Sequence, residues 1–225
     1  IYLSKIKYLL DNDFRFKHVI VFIDISDLYD DNTFYKLNDD LSVSEKNAKK
    51  KRLKSRKFLR YNFPLTNYYL FVIKMNNRLN KEVPPLKSLK PIFTEKSVLK
   101  AKWTYQKENR INGYKDPISK TQKEMLNSMN QLHKLLKKNN IKLSLAVYPW
   151  PQQLEFDKVD SKHVKMWKEF CLQKCFKFID FFPFFFDEKK KSSYLEVYKK
   201  YYFWNDVHFN VNGNKIIADR LIKEF

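Results

Sequence analysis

The sequence predicts an α/β fold built on a parallel sheet. Val19–Ile23 is a continuous apolar run rich in β-branched residues, with the character of a strand buried on both faces, and Ile141–Tyr148 and Phe176–Asp180 read as a second and a third strand. Segments with apolar residues at helical spacing separate them, which is the alternation expected of βαβ units. A chain of 225 residues is most simply one domain around one sizeable core. Hydrophobic content of 44%, with 17% aromatic residues, argues against a disordered chain.

Taken in order, residues 2, 3, 6, 9 and 10 are apolar, the spacing of a helix over Ile1–Leu10. The strand Val19–Ile23 ends in Asp24-Ile25-Ser26-Asp27-Leu28, followed by Asp30 and Asp31. Polar residues at the carboxyl end of such a strand stand where open α/β sheets place ligands. The same residues equally suit a helix cap or a turn. Residues 32–115 read as a long, basic, partly helical excursion between core elements. No acidic residue occurs from Lys46 to Lys81, Lys49 to Arg60 is densely basic, and Pro84, Pro85 and Pro91 break the pattern. Within it, Tyr68–Ile73 fits either a helix or a buried strand. Asp116-Pro117 has the residues of an N-cap and first turn, followed by Ile118, Met125, Met129, Leu132 and Leu136 at helical spacing, with His133 as a surface or boundary residue. Pro149-Trp150-Pro151 stops the second strand. Asp160 is placed to cap a helix carrying Val164, Trp167, Cys171 and Cys175. No further Cys or His stands at ligand spacing from the two cysteines, so they are expected to pack as small apolar residues rather than bind metal. No glycine-rich phosphate loop is present. The longest apolar candidate, 177–186, is too short to span a bilayer and contains Asp180 and Pro183.

The formal net charge is +20. It points either to a negatively charged partner, nucleic acid or anionic lipid, or to a bias of composition. The excess is nearly all Lys, beside abundant Asn, Ile, Phe and Tyr and scarce Gly and Ala, so the bias is the simpler reading. Basic residues near Tyr61, Phe63, Tyr68 and Tyr69 have the composition of a single-strand nucleic-acid platform. A solvated helix face has the same composition, and nucleic acid is not the expected partner. Contact of 46–60 with an anionic surface remains as an expectation.

The stretch Asn205-Asp206-Val207-His208-Phe209-Asn210 carries the chemistry. It is followed by Val211-Asn212-Gly213-Asn214 and an amphipathic run from Lys215 to Ile222. In an extended segment positions i and i+2 share a side. Asp206 can then orient the imidazole of His208 and stabilise its protonated form, two-thirds of a nucleophilic triad. The plainer alternative is a surface turn whose acid caps nearby amides.

Three places in this order of features resemble the SGNH (GDSL-like) hydrolase superfamily of esterases, lipases and carbohydrate O-acetyltransferases or deacetylases. Asp206-Val207-His208-Phe209-Asn210 with Gly213 is similar to that family's last block, and its two-residue acid-to-histidine spacing is nearest to members related to alginate O-acetylation. Ile23-Asp24-Ile25-Ser26-Asp27 stands where many members carry Gly-x-Asn-Asp, with Asp24 in place of Gly and Ser26 in place of Asn. Ala146-Val147-Tyr148-Pro149-Trp150-Pro151 resembles the apolar strand closed by proline. The resemblance covers 1–31 and 117–225. It implies a three-layer α/β/α, flavodoxin-like domain whose first two strands, with the Gly-Asp-Ser nucleophile and a glycine donor, are expected upstream of Ile1. It further implies His208 as catalytic base, Asp206 as orienting acid, Ser26 as an oxyanion donor and Asp24 and Asp27 as residues shaping that loop. The implied substrate is an acylated small molecule or carbohydrate, without metal or organic cofactor, at the cell envelope or periplasm. A non-catalytic relative that binds glycan or assembles with a membrane acyltransferase is the alternative, and a basic nucleic-acid-binding protein is a second.

Overall fold

The computed structural model describes residues 1–46, 61–79 and 91–225. The chain forms two compact units, Ile1–Ser44 with Ile92–Phe225, and Glu45–Pro91. The excursion inferred over 32–115 is therefore narrower as a separate unit. The dense basic run 49–60 lies outside the described residues.

The first unit opens with helix α1 (Tyr2–Asp11), strand β1 (His18–Ile23) and helix α2 (Ser26–Thr33). Strands β2 (Tyr35–Leu37) and β3 (Val43–Glu45) make a two-stranded sheet. Glu45–Pro91 contains helix α3 (Pro64–Leu79), which resolves Tyr68–Ile73 as helical. The larger unit resumes with α4 (Glu95–Tyr105), α5 (Ile118–Lys138), β4 (Lys142–Val147), α6 (Pro151–Phe156) and α7 (Lys162–Cys171). It ends with β5 (Lys177–Asp180), α8 (Phe182–Lys191), α9 (Tyr194–Tyr201) and α10 (Val211–Glu224).

Among the described residues the main sheet has the order β1-β4-β5, all parallel. Ile23 pairs level with Val147, and Val147 with Asp180, so all three strands end at one rim. Leu143 through Val147 are all buried, which requires cover on both faces of β4. Helices supply it, giving the α/β/α layering the sequence predicts. The polar side chain in that strand, Ser144, is satisfied by His18 Nε2 at 2.9 Å.

The outer edge of β1 carries a specific cap. Lys142 donates its amide to the carbonyl of Lys17, so alternation along the strand turns the carbonyl of Phe22 away from β4. There it accepts from Tyr2 Oη at 2.8 Å.

Periodicity located α5 well: Ile118, Met125, Met129, Leu132 and Leu136 are all buried. Its start differs from the expectation. Asp116 does not cap the helix; Asn109 takes the first amides, with its carbonyl accepting from Ile118 and its Oδ1 from Ser119 at 2.8 Å. Ser161, not Asp160, caps α7 by accepting from the amides of His163 and Val164. Trp103 of α4, within the stretch expected to be an excursion, is a core residue whose indole donates to Ile25 at 3.0 Å.

The cysteines correct a further expectation. Cys171 and Cys175 form a disulfide rather than packing as free thiols, because α7 ends at Cys171 and the following turn brings the two Cα atoms to 4.6 Å. The bond ties the end of α7 to the chain entering β5. A loop this short should contribute about 2 kcal/mol by restricting the unfolded chain. Replacing both cysteines with Ser should lower the unfolding free energy by about that amount. Denaturant titration of the variant, with non-reducing peptide mapping of the parent, checks this; an unchanged midpoint would show that the cross-link does nothing for stability.

Candidate functional site

The carboxyl rim of the sheet bears a cavity of about 360 Å³ lined by Phe22, Asp24, Tyr148, Trp150, His208 and Phe209, among others. Its floor is set by β1 and β4. The carboxylate of Asp24, just beyond β1, accepts from Tyr148 Oη at 2.8 Å and Trp150 Nε1 at 3.0 Å through Oδ2, and from the amide of Ser26 at 2.7 Å through Oδ1. Three donors from two strand ends converge on one acid, which fixes the planes of both aromatic rings. Burial pushes the phenol of Tyr148 well above its ordinary pKa, and the charge of Asp24 adds to this, so it stays protonated.

The 202–210 loop carries the dyad. It is not the extended segment the sequence suggests. Tyr202 and Phe209 form an antiparallel bridge, the amide of Phe203 donates to the carbonyl of His208 at 3.0 Å, and Asn205 turns the chain with φ 59°. Asn tolerates that left-handed conformation better than most residues. Its Oδ1 also accepts from the amide of Ile92 at 2.7 Å. Within this turn Asp206 Oδ1 lies 2.6 Å from His208 Nδ1 and accepts from the amides of Val207 at 2.6 Å and His208 at 3.3 Å. The acid therefore caps the turn and holds the ring at once. Burial alone would push the Asp206 carboxyl up, but the bonds from the His208 ring and the two amides outweigh it and hold the carboxyl below its ordinary range. With a carboxylate on Nδ1, that nitrogen carries the proton of the neutral ring and Nε2 keeps its lone pair.

The residues beneath the dyad are buried or half-buried and well bonded. Phe209 stacks on Phe185 at 5.1 Å and meets Tyr202 at 4.8 Å and Tyr148 at 5.5 Å. Tyr198 Oη accepts from the amide of Asp206 at 3.0 Å and donates to Phe203 at 2.6 Å. Asn210 caps α10, accepting from Asn212 and Gly213. A Cβ at Gly213 would overlap the carbonyl of Tyr201, so glycine is required there for close approach.

Of the five residues expected from sequence, His208 and Asp24 line this cavity, and Asp206 holds the His208 ring without lining it. Ser26 and Asp27 do not line it. The amide of Ser26 is committed to Asp24, and α2 begins at that residue, which turns Asp27 to the opposite side. There Asp27 Oδ2 lies 2.7 Å from Tyr2 Oη and accepts from the amide of Asp24 at 3.1 Å. Tyr2 has one hydroxyl proton for two acceptors, Asp27 and Phe22. A proton on Asp27 resolves that conflict, and burial pushes its carboxyl up to about 7. Tyr148, Trp150 and Phe209 were missed as site residues. The signal available was two aromatic residues at i and i+2 just beyond a strand end. Among the described residues no group of three or more His, Cys, Asp or Glu is placed to hold a metal ion.

Behind the rim lies His163, fully buried between Trp103 and Phe182. Neither ring nitrogen makes a hydrogen bond of ordinary geometry to the described residues. Burial lowers its pKa to about 4, against smaller opposing effects of the Asp24 carboxylate and the Ile23 carbonyl.

Comparison of this chain with family models, curated proteins and solved structures finds no match.

The two buried titratable groups give opposed pH dependences. The unfolded chain protonates His163 near 6.5 and the native protein only near 4, so stability present above 6.5 is lost as pH falls through that window. Asp27 is protonated in the native protein up to about 7 but in the unfolded chain only below 3.8, so its contribution is lost as pH rises from 3.8 to 7. Each runs at about 1.4 kcal/mol per pH unit, and between pH 4 and 6.5 they nearly cancel. Asp27→Asn should expose the His163 slope, making the variant gain about 3 kcal/mol relative to the parent as pH rises from 4 to 6.5. Urea unfolding of both proteins across that range tests this. Parallel curves would show that Asp27 ionises normally in the native state.

Proposed function

We propose that this chain serves SGNH-type acyl transfer, as a serine-dependent acyl-ester hydrolase or carbohydrate O-acyltransferase. The observation that carries the reading is the 2.6 Å contact of Asp206 with His208 Nδ1 on the wall of a cavity at the carboxyl rim of a parallel sheet. In this reading Nε2 of His208 takes the hydroxyl proton of the nucleophile as it attacks the ester carbonyl. The protonated ring then delivers that proton to the departing alcohol. Asp206 holds the tautomer and stabilises the imidazolium.

The lining of the cavity offers one hydroxyl among the described residues, that of Tyr148, and it is bonded to Asp24. The reading therefore takes its serine from outside the described lining of the cavity. Ser26 does not line this cavity and its amide serves Asp24, so the reading assigns no oxyanion donor to its hydroxyl here. The same absence of a lining serine favours a second reading, a binding domain whose Tyr148, Trp150 and Phe209 walls receive a ligand without chemistry. The disulfide suits an oxidising compartment under either reading.

The dyad is tested in the complete protein with an activated acyl ester. His208→Ala should reduce turnover on the order of 10³-fold or more, and Asp206→Asn should also be severely damaging, because the amide can favour the wrong ring tautomer. Asn205→Ala should instead lower stability by roughly 1 kcal/mol, through its left-handed backbone, and leave turnover within a few-fold. Circular dichroism establishes folding in each case. A folded His208→Ala protein with full activity would remove the hydrolase reading and leave the binding domain.

A further inference from the structure

The helix α3 leaves a large apolar surface in water. Leu65 is 82% exposed, Tyr68 65%, Tyr69 66% and Ile73 40%. With Val72 these positions run i, i+3, i+4, i+7 and i+8, the spacing of a single helical stripe. A stripe of this kind normally faces a core, and single exposed apolar residues would need no account. Four in register, with the half-buried Val72 among them, do.

The charge around the stripe identifies the occupant. From Lys46 to Lys81 the sequence holds twelve basic residues and no acidic one, Lys74 and Arg78 among them within α3. A second copy of this surface would bring like charges together, so self-association is disfavoured. A surface with negative headgroups over an apolar interior answers both features. Tyr68 and Tyr69 have an apolar ring and a polar tip, the character suited to the headgroup boundary. No helix among the described residues is long and apolar enough to cross a membrane, so contact would be with the surface rather than across it.

We propose that α3 is an interfacial anchor, with Leu65, Tyr68, Tyr69, Val72 and Ile73 entering the acyl boundary of an anionic lipid surface and the basic residues neutralising its headgroups. This rests on α3 and its flanking charge, independently of the chemistry at His208.

The test is co-sedimentation of residues 1–225 with vesicles of phosphatidylcholine, with and without phosphatidylglycerol, at low and high salt. The parent should bind the anionic vesicles, bind neutral ones weakly, and lose part of its binding in high salt. Leu65→Ser with Tyr69→Ser and Ile73→Ser should reduce partitioning at least tenfold while every basic residue remains. A milder set, Leu65→Ala with Ile73→Ala, should fall between. Failure of the parent to bind, or equal binding by the triple variant, would overturn the proposal, the latter by showing that charge alone attracts the protein. Gel filtration showing a parent dimer that the triple variant abolishes would assign the stripe to a second copy and overturn it as well. So would tighter binding to single-stranded RNA than to vesicles, lost in the same variant.

Discussion

The candidate site depends first on how one carboxylate is satisfied. Asp24 follows directly on a strand whose last residue, Ile23, is level with Val147. That register places the acid beside the chain leaving β4, where the donors of Tyr148 and Trp150 reach it. A carboxyl group withdrawn from water is costly unless hydrogen bonds replace its hydration. Three donors do so here, and they bind the ends of two strands and the first turn of α2 to a single point. The aromatic walls of the cavity are oriented as a consequence.

The dyad uses the opposite arrangement. Its two side chains are exposed, His208 at 77% and Asp206 at 49%, while Phe185, Tyr198 and Tyr202 beneath them are buried. Phe209 fills a space among Phe185, Tyr202 and Tyr148, and Tyr198 bonds both sides of the turn. An exposed side-chain contact on its own holds little geometry, because water competes and side-chain entropy is lost. Packing beneath it and the amide bonds to Asp206 confine the turn, so the imidazole needs little further ordering to face the cavity. The site thus joins a rigid loop to a rigid strand end, the combination from which positioned chemistry is built.

Buried titratable groups lie close behind that rim and pull in opposite directions. His163 lacks a good partner and resists its proton, whereas burial makes Asp27 hold its own to higher pH. Neither reaches the cavity of His208. They belong to the packing of α1, α2 and α7 against the sheet, and they show that a perturbed group near a site need not act in it.

The sequence by itself determined the class of fold, the three strands and the buried face of α5, because continuous apolar runs and 3.6-residue periodicity are local consequences of burial. It also named the acid and the histidine, although the turn at Asn205, not an extended segment, brings them together. Tertiary structure decided what local pattern does not encode. Asn109 rather than Asp116 caps α5, because a residue nine positions before the helix folds back onto its first turn. The cysteines pair because α7 stops between them, a boundary that helical spacing did not mark. Ser26 and Asp27, adjacent to Asp24 in sequence, face elsewhere because α2 begins there and rotates each successive side chain by about 100°. Tyr148 and Trp150 join the site because parallel pairing sets β4 beside β1, across more than a hundred residues of chain.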